Sequence, residues 1–249
     1  MKAMILAAGL GTRLRPLTDH VPKALAPLAG GTLLQVALER LRSFGVGEVI
    51  VNVHHMAVMV EEYLRTHGNF GMRIEISREE LLLDTGGGLK KAAHFFLRDG
   101  GDDPFFVHNV DVLSNIDLAA MIRFHREREA LATLAVRPRS NSRRLLFDPH
   151  SRLCGRRTGD SPAEMARPAE QFDELTFAGI HVLSPRIFSL IDEQGCFPIV
   201  PVYLRLAAAG ERILGFRTDR SYWRDLGTAA NLKAAERDLA QGVLAEEVR

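Results

Sequence analysis

The residues with the greatest chemical potential for their spacing stand near the start of the chain. They are Ala7-Ala8-Gly9-Leu10-Gly11-Thr12-Arg13-Leu14-Arg15-Pro16-Leu17-Thr18, with Pro22-Lys23 just behind. Gly9 and Gly11 carry no Cβ, so backbone N–H groups can come close to a ligand there. Arg13 and Arg15 offer planar forks to phosphate oxygens, and Lys23 adds a point charge. Thr12 supplies a hydroxyl just before Arg13. Such a loop suits a polyphosphate, whose negative charge must be neutralised before a nucleophile can approach it. The apolar run Ala3-Met4-Ile5-Leu6 ahead of it reads as a buried first strand.

Other glycine loops fit less well. A Walker-type loop needs Gly-Lys-Ser or Gly-Lys-Thr, and neither tripeptide occurs. A dinucleotide-binding turn needs a third glycine where Leu14 stands and an acid where Asn52 stands. A plain surface turn needs one glycine or proline, not this ordered set. The run from Leu6 to Pro27, Leu25 included, instead resembles the signature of the sugar-1-phosphate nucleotidyltransferases. Further pieces match in the family's order: Asp84-Thr85-Gly86-Gly87-Gly88, Asn109-Val110-Asp111, Phe177-Ala178-Gly179-Ile180 and Trp223-Arg224-Asp225-Leu226-Gly227-Thr228. The resemblance therefore covers nearly the whole chain.

The resemblance implies Mg²⁺-dependent transfer of a nucleotidyl group from a nucleoside triphosphate to a sugar 1-phosphate, releasing pyrophosphate. It assigns Mg²⁺ to Asp111 and Asp225. It assigns the nucleotide to Ala7, Ala8, Gly9, Gly11, Thr12, Arg13, Thr85 and Gly86. The sugar phosphate falls to Lys23, Asn109, Ala178 and Gly179. Arg13, Lys23 and Asp111 are the expected catalytic residues, with Arg13 on the departing pyrophosphate and Lys23 bridging the α-phosphate and the incoming phosphate. Arg15 is open between a phosphate-binding role and a solvent-facing or structural one. A triple glycine, a short length and the lack of a C-terminal repeat domain point to members using UTP and N-acetylmuramic acid 1-phosphate. The alternative is GTP with mannose or heptose 1-phosphate. Many members carry a Glu-Lys-Pro acceptor motif where this chain has Arg167-Pro168-Ala169-Glu170, with Glu170 either a substitute or unrelated. A non-catalytic nucleotide-binding subunit ranks low, because such relatives should lack one of Arg13, Lys23, Asp111 and Asp225.

The attacking phosphate oxygen is largely ionised near neutral pH, so no general base is needed. His54, His55 and His108 are then expected to pack or bond to backbone, and no HExxH pattern recruits them. Hydrophobic residues are 46% of 249 and charged residues 25%, enough for one large α/β domain. A net charge of +1 makes no case for nucleic acid or an anionic membrane as partner. Cys154 and Cys196 form no CxxC, which suits a reducing compartment. The first apolar run is too short for a signal peptide, and no stretch approaches the length of a membrane span. A cytoplasmic monomer or small homo-oligomer is expected.

These residues need a scaffold. Helix from Thr32, with Leu33, Leu34, Val36, Ala37, Leu38 and Leu41 inward, strand Glu48–Val53, helix 56–67 and strand Met72–Ser77 alternate. That rhythm predicts a mostly parallel, Rossmann-like sheet with helices on both faces, and ligands beyond its carboxyl edge. The triple glycine leads into a helix expected over 89–97; it either leaves bare backbone for a nucleobase and ribose, which the resemblance favours, or is a flexible helix start. Strand 104–108 delivers Asn109 and Asp111; helix 117–129 and strand 131–136 complete a nucleotide-binding core, 1–136. The remainder, 137–249, is expected to hold a small antiparallel acceptor-side region, strand 175–183, short helices over 184–192 and 198–209, strand 212–217 and a closing helix over 229–241. Arg137, Arg139, Arg143, Arg144, Arg152, Arg156 and Arg157 form a second basic region, expected to be a solvated excursion, with a docking surface as the alternative.

Overall fold

The computed structural model describes residues 1–98, 100–138 and 142–243. Arg139 lies outside them. The chain has a mixed α/β fold with a mostly parallel central sheet and small antiparallel sheets. It divides into two units that interleave along the sequence. The first holds Met1–Leu82, His108–Ile116 and the chain from Ser221 onward; the second holds Leu83–Val107 and Asp117–Arg220. No helix among the described residues is long and apolar enough to cross a membrane.

In the first unit, strand Lys2–Leu6 runs parallel to Glu48–Val53, which runs parallel to Arg73–Arg78. Val49 to Val53 are all buried, as a strand flanked on both edges requires. Arg73–Arg78 is half-exposed and stands at the sheet's edge. Met72, expected in that strand, closes the preceding turn instead, its N–H donating to the Asn69 carbonyl at 3.0 Å. Helices Leu33–Ser43 and Ala57–Thr66 form the crossovers. Thr32 caps the first as expected: its Oγ1 accepts the Gln35 N–H at 3.1 Å. Leu33, Leu34, Ala37, Leu38 and Leu41 are buried, but Val36 is not part of the core. It sits off the inward stripe, where it lines a cleft of about 340 Å³ with Gln35, Arg40 and His108. Strand Val112–Ser114 pairs antiparallel with Trp223–Asp225, and helix Ala229–Ala240 follows.

In the second unit the triple glycine corrects the expectation. Helix Asp84–Lys91 already contains Gly86, Gly87 and Gly88; it breaks at Ala92, and a short helix, Ala93–Leu97, follows. The cause is a close backbone approach. The N–H groups of Gly86 and Gly87 donate to the Phe197 carbonyl at 2.9 and 3.2 Å, and Phe197 N–H donates to Leu83 O at 3.1 Å. A Cβ on Gly86 would stand in the Phe197 ring and 2.9 Å from its carbonyl oxygen, and one on Gly87 would strike the Gly195 carbonyl. Glycine therefore lets these orphan N–H groups of a helix start reach a partner. Gly87→Ala is expected to destabilise the protein by about 1–3 kcal/mol, because backbone cannot yield as a side chain can. An unchanged thermal midpoint in that variant would remove this account.

Strands Arg143–Phe147, Leu153–Thr158 and Glu164–Met165 pair antiparallel, as expected of this region. Arg143 and Arg152 are exposed, as a solvated excursion requires, but Arg144, Arg156 and Arg157 are paired within the fold. Arg144 is buried, and Arg144 and Arg157 face each other across two strands, a repulsive placement by itself. Glu174 resolves it, taking Arg144 Nη1 on one oxygen at 2.7 Å and Arg157 on the other. Arg156 pairs with Glu164 at 2.7 Å and Arg167 with Asp148 at 2.9 Å. The long strand Asp173–Leu183 carries an irregularity between Phe177 and His181, where Gly179 takes a φ of 77°. Ser184 does not cap the turn Pro185–Leu190 with its side chain; its hydroxyl donates back to the Ala130 carbonyl at 2.8 Å.

Candidate active site

The first strand ends by handing the chain to the glycine loop, and both neighbours grip it there. Leu6 O accepts the Val110 N–H at 3.1 Å, and Ala7 N–H donates to Asn52 Oδ1 at 2.8 Å. Gly11 has a φ of 66°, and a Cβ on it would lie 2.8 Å from Thr18 Cγ2 and 3.0 Å from Lys23 Cβ. Only glycine meets both demands. Its carbonyl accepts from Leu14 N–H and from Thr18 Oγ1, each at 2.8 Å, which folds the loop into a tight 3₁₀ turn, Thr12–Leu14. Gly9 is exposed, with nothing of the chain within 4 Å of the place a Cβ would occupy.

The cations and acids of the loop region pair across long stretches of sequence. Lys23 opens the 3₁₀ turn Lys23–Leu25, and its Nζ donates to Asp111 Oδ2. Both side chains are largely buried, 13% and 14% exposed. Arg13 is exposed, with Nη2 3.9 Å from Asp225 Oδ1. The two acids start from neighbouring rungs of one antiparallel pair. Asp225 is in register with Val112, and Leu226 N–H donates to the Asp111 carbonyl at 2.8 Å. Asp225 is itself held, its Oδ1 by Gly227 N–H at 2.6 Å and its carbonyl by Asn231 Nδ2 at 2.7 Å. Arg15 is exposed and pairs with Asp19 at 3.2 Å on the surface.

Thr85, Gly86, Ala178 and Gly179 belong to the second unit. Thr85 Oγ1 accepts the Ile199 N–H at 3.0 Å, and Ala178 is fully buried. Glu170 is exposed on the same unit. Asn109 ends strand Phe105–Asn109 and stands two residues before Asp111. Four residues that hold the site together were not singled out in the sequence for this role: Asn52, Glu79, Thr18 and Asn231. Asn52 left one signal, an amide in the otherwise apolar run Val49-Ile50-Val51, where a polar group needs a partner.

A hard divalent cation fits the acids. Among the described residues no group of three or more His, Cys, Asp and Glu side chains could hold a metal. Carboxylates are the hard oxygen donors taken by an ion that completes its shell with water and phosphate.

His54, His108 and His125 bond to backbone or to neutral hydroxyls, whereas His55 is exposed rather than packed. His54 Nδ1 lies 2.8 Å from the Glu79 carbonyl, and His108 Nδ1 donates to the Asn109 carbonyl at 2.7 Å. His125 bridges Thr133 Oγ1 at 2.9 Å and Ser184 Oγ at 3.0 Å. The Ser184 proton already goes to Ala130 O, so His125 donates from Nε2. Burial pulls both His108 and His125 down to about 4. The unfolded chain, with ordinary imidazoles near 6.5, then binds more protons than the folded one as pH falls. Stability is therefore expected to be full above about pH 6.5 and to fall toward pH 4, by up to about 1.4 kcal/mol per pH unit for each ring. Urea midpoints measured from pH 7.5 to 4.5 check this; a flat profile would contradict it.

Residues 2–145 match the family model "Nucleotidyl transferase". The chain is 35% identical over 247 residues to the N-acetylmuramate alpha-1-phosphate uridylyltransferase of Caulobacter vibrioides, covering 96% of this chain and 97% of that one. It is 31% identical over 248 residues to the mannose-1-phosphate guanylyltransferase of Mycobacterium tuberculosis, covering 97% of this chain and 65% of the relative. In structure it resembles a UDP-glucose pyrophosphorylase solved with UDP-glucose, with a TM-score of 0.77 at 18% identity over 96% and 98% of the two chains. The chain belongs to the nucleotidyl transferase family and is a sugar-1-phosphate nucleotidyltransferase of the uridylyl- or guanylyl-transferring kind.

Proposed function

We propose that this enzyme transfers a uridylyl group from UTP to N-acetylmuramic acid 1-phosphate, with Mg²⁺ held by Asp111 and Asp225. The observation that carries the site is the convergence of the Lys23–Asp111 pair, the Arg13–Asp225 approach and the open Gly9 backbone at the carboxyl edge of the first strand. The choice of substrates is supported by near full-length likeness to the Caulobacter uridylyltransferase. In the reaction a phosphate oxygen of the sugar bonds to the α-phosphorus. The bond from that phosphorus to the bridging β-oxygen breaks, and pyrophosphate leaves with the electron pair. When bound, the cation neutralises phosphate charge. The chain positions and neutralises more than it reacts. Loop amides from Gly9 to Thr12 take phosphate oxygens, Arg13 faces the departing pyrophosphate, and Lys23 serves the α-phosphate and the acceptor phosphate. The Ala7 N–H is engaged by Asn52, so Ala7 offers the base its carbonyl. No proton has to be removed, in keeping with a buried, neutral His108.

Pyrophosphate release tests the reading. UTP and GTP are each combined with N-acetylmuramic acid, mannose, heptose and glucose 1-phosphates, with Mg²⁺ and with EDTA. UTP with N-acetylmuramic acid 1-phosphate and Mg²⁺ is expected to be fastest by at least about tenfold. Preference for GTP and mannose 1-phosphate would overturn the substrate assignment and leave the reaction class standing.

A further inference from the structure

We propose that Asn52, oriented by Glu79, is a positioning residue for the nucleotide turn. It sets where Ala7, Ala8 and Gly9 present their backbone. The inference rests on the nucleotidyl-transfer reading above and adds a residue outside the glycine loop to it.

The parallel ladder between Lys2–Leu6 and Glu48–Val53 ends at the rung Leu6–Asn52. Beyond it the first chain enters the loop, and the Ala7 N–H bonds to a side chain instead of the ladder. The Asn52 side chain stands in, with Oδ1 at 2.8 Å, so the ladder gains one more bond in the first residue of the turn. Asn52 Nδ2 in turn donates to Glu79 Oε1 at 2.7 Å. This settles which way the amide faces. Flipped, it would set N–H against N–H and oxygen against carboxylate. Glu79 is tied to the end of the strand that carries Asn52: its N–H donates to Val53 O at 2.7 Å, and its carbonyl takes the His54 ring nitrogen at 2.8 Å.

Burial makes this arrangement expensive. Asn52 is 3% and Glu79 4% exposed. A carboxylate and an amide taken out of water lose hydration that a valine at the same place would never have had. The neighbouring positions of that strand, Val49, Ile50, Val51 and Val53, are apolar. Packing alone would be served by one more of them. What Asn52 supplies, and an apolar residue could not, is a directed acceptor for Ala7, the residue that leads through Ala8 to the exposed Gly9.

The test compares wild type with Asn52→Ala, Asn52→Asp and the double variant Asn52→Asp/Glu79→Gln. KM for the triphosphate and for the sugar phosphate, kcat and the thermal midpoint are read for each. Asn52→Ala is expected to raise KM for the triphosphate at least about tenfold and leave KM for the sugar phosphate within about twofold. Asn52→Asp sets two carboxylates together and is expected to be equally impaired or worse. In the double variant the carboxylate introduced at position 52 accepts both the Ala7 N–H and the side-chain amide introduced at position 79. That restores the chain of bonds with the charge moved. The double variant is expected to recover to within about threefold of wild type. A wild-type triphosphate KM in Asn52→Ala would overturn the proposal. So would equal loss on both substrates in step with the melt, or a double variant no better than Asn52→Asp. If wild type turns over no pair at all, the reaction class falls first and this inference with it.

Discussion

Asp225→Asn is expected to abolish divalent-dependent turnover, by at least about a thousandfold, with the fold left intact. Its stability cost should be small. The approach of Arg13 to Asp225 is long and solvent-exposed, worth less than about 1 kcal/mol. The amide oxygen of asparagine can still accept the Gly227 N–H. Loss of rate without loss of stability would separate a ligand to the cation from a structural acid. Asp111→Asn should lose as much rate but also some stability, because it leaves the ammonium of Lys23 largely buried against a neutral amide. That cost is about 1–3 kcal/mol, or a few degrees in the melt of a chain this size. Initial rates over a Mg²⁺ titration, paired with thermal melts, read both. Wild-type rates in either variant would take that acid out of the cation site.

Lys23→Ala carries the second large effect, a fall in kcat of at least about a hundredfold. The lysine is poised between two partners. Without substrate it neutralises Asp111, and in the reaction it is assigned to phosphate. Removing it therefore exposes Asp111 as an uncompensated buried carboxylate as well as removing a charge from the α-phosphate. The two consequences separate in a double variant. Lys23→Ala/Asp111→Asn should melt closer to wild type than the two single costs added together, because the partners fail as a unit. Its turnover should stay as low as that of the worse single variant. Additive melts would show that the pair is not coupled in the folded protein, and an active Lys23→Ala enzyme would remove the lysine from the chemistry.

Much of the scaffold is legible in local pattern. Strand Glu48–Val53 announces itself as an apolar run, and the first crossover helix by its periodic leucines and the Thr32 cap three residues before Gln35. Those are properties of residues a few positions apart, where period and capping chemistry act directly. The glycine loop is legible for the same reason. Gly9, Gly11, Arg13 and Lys23 lie within one short stretch, and their residue types state a phosphate preference wherever the chain folds. The triple glycine shows the boundary. Its presence is plain in the sequence, but the helix that starts through it depends on the Phe197 carbonyl and the Gly195 backbone more than a hundred positions away.

The partners of the site are a tertiary matter. Lys23 meets Asp111 across 88 positions, and Ala7 meets Asn52 across 45. Asp111 and Asp225 reach adjacent rungs only because Val112–Ser114 pairs with Trp223–Asp225. The arginines of the second unit read as solvated charge until Glu174 arrives between two of them. By itself the sequence determined the order of strands and helices and the phosphate character of one loop, since near-neighbour sterics and periodicity carry that information. Which acid faces which cation, and which amide holds the loop, was decided by strand adjacency, because a hydrogen bond or ion pair needs contact in space and a linear pattern carries no distance between remote positions.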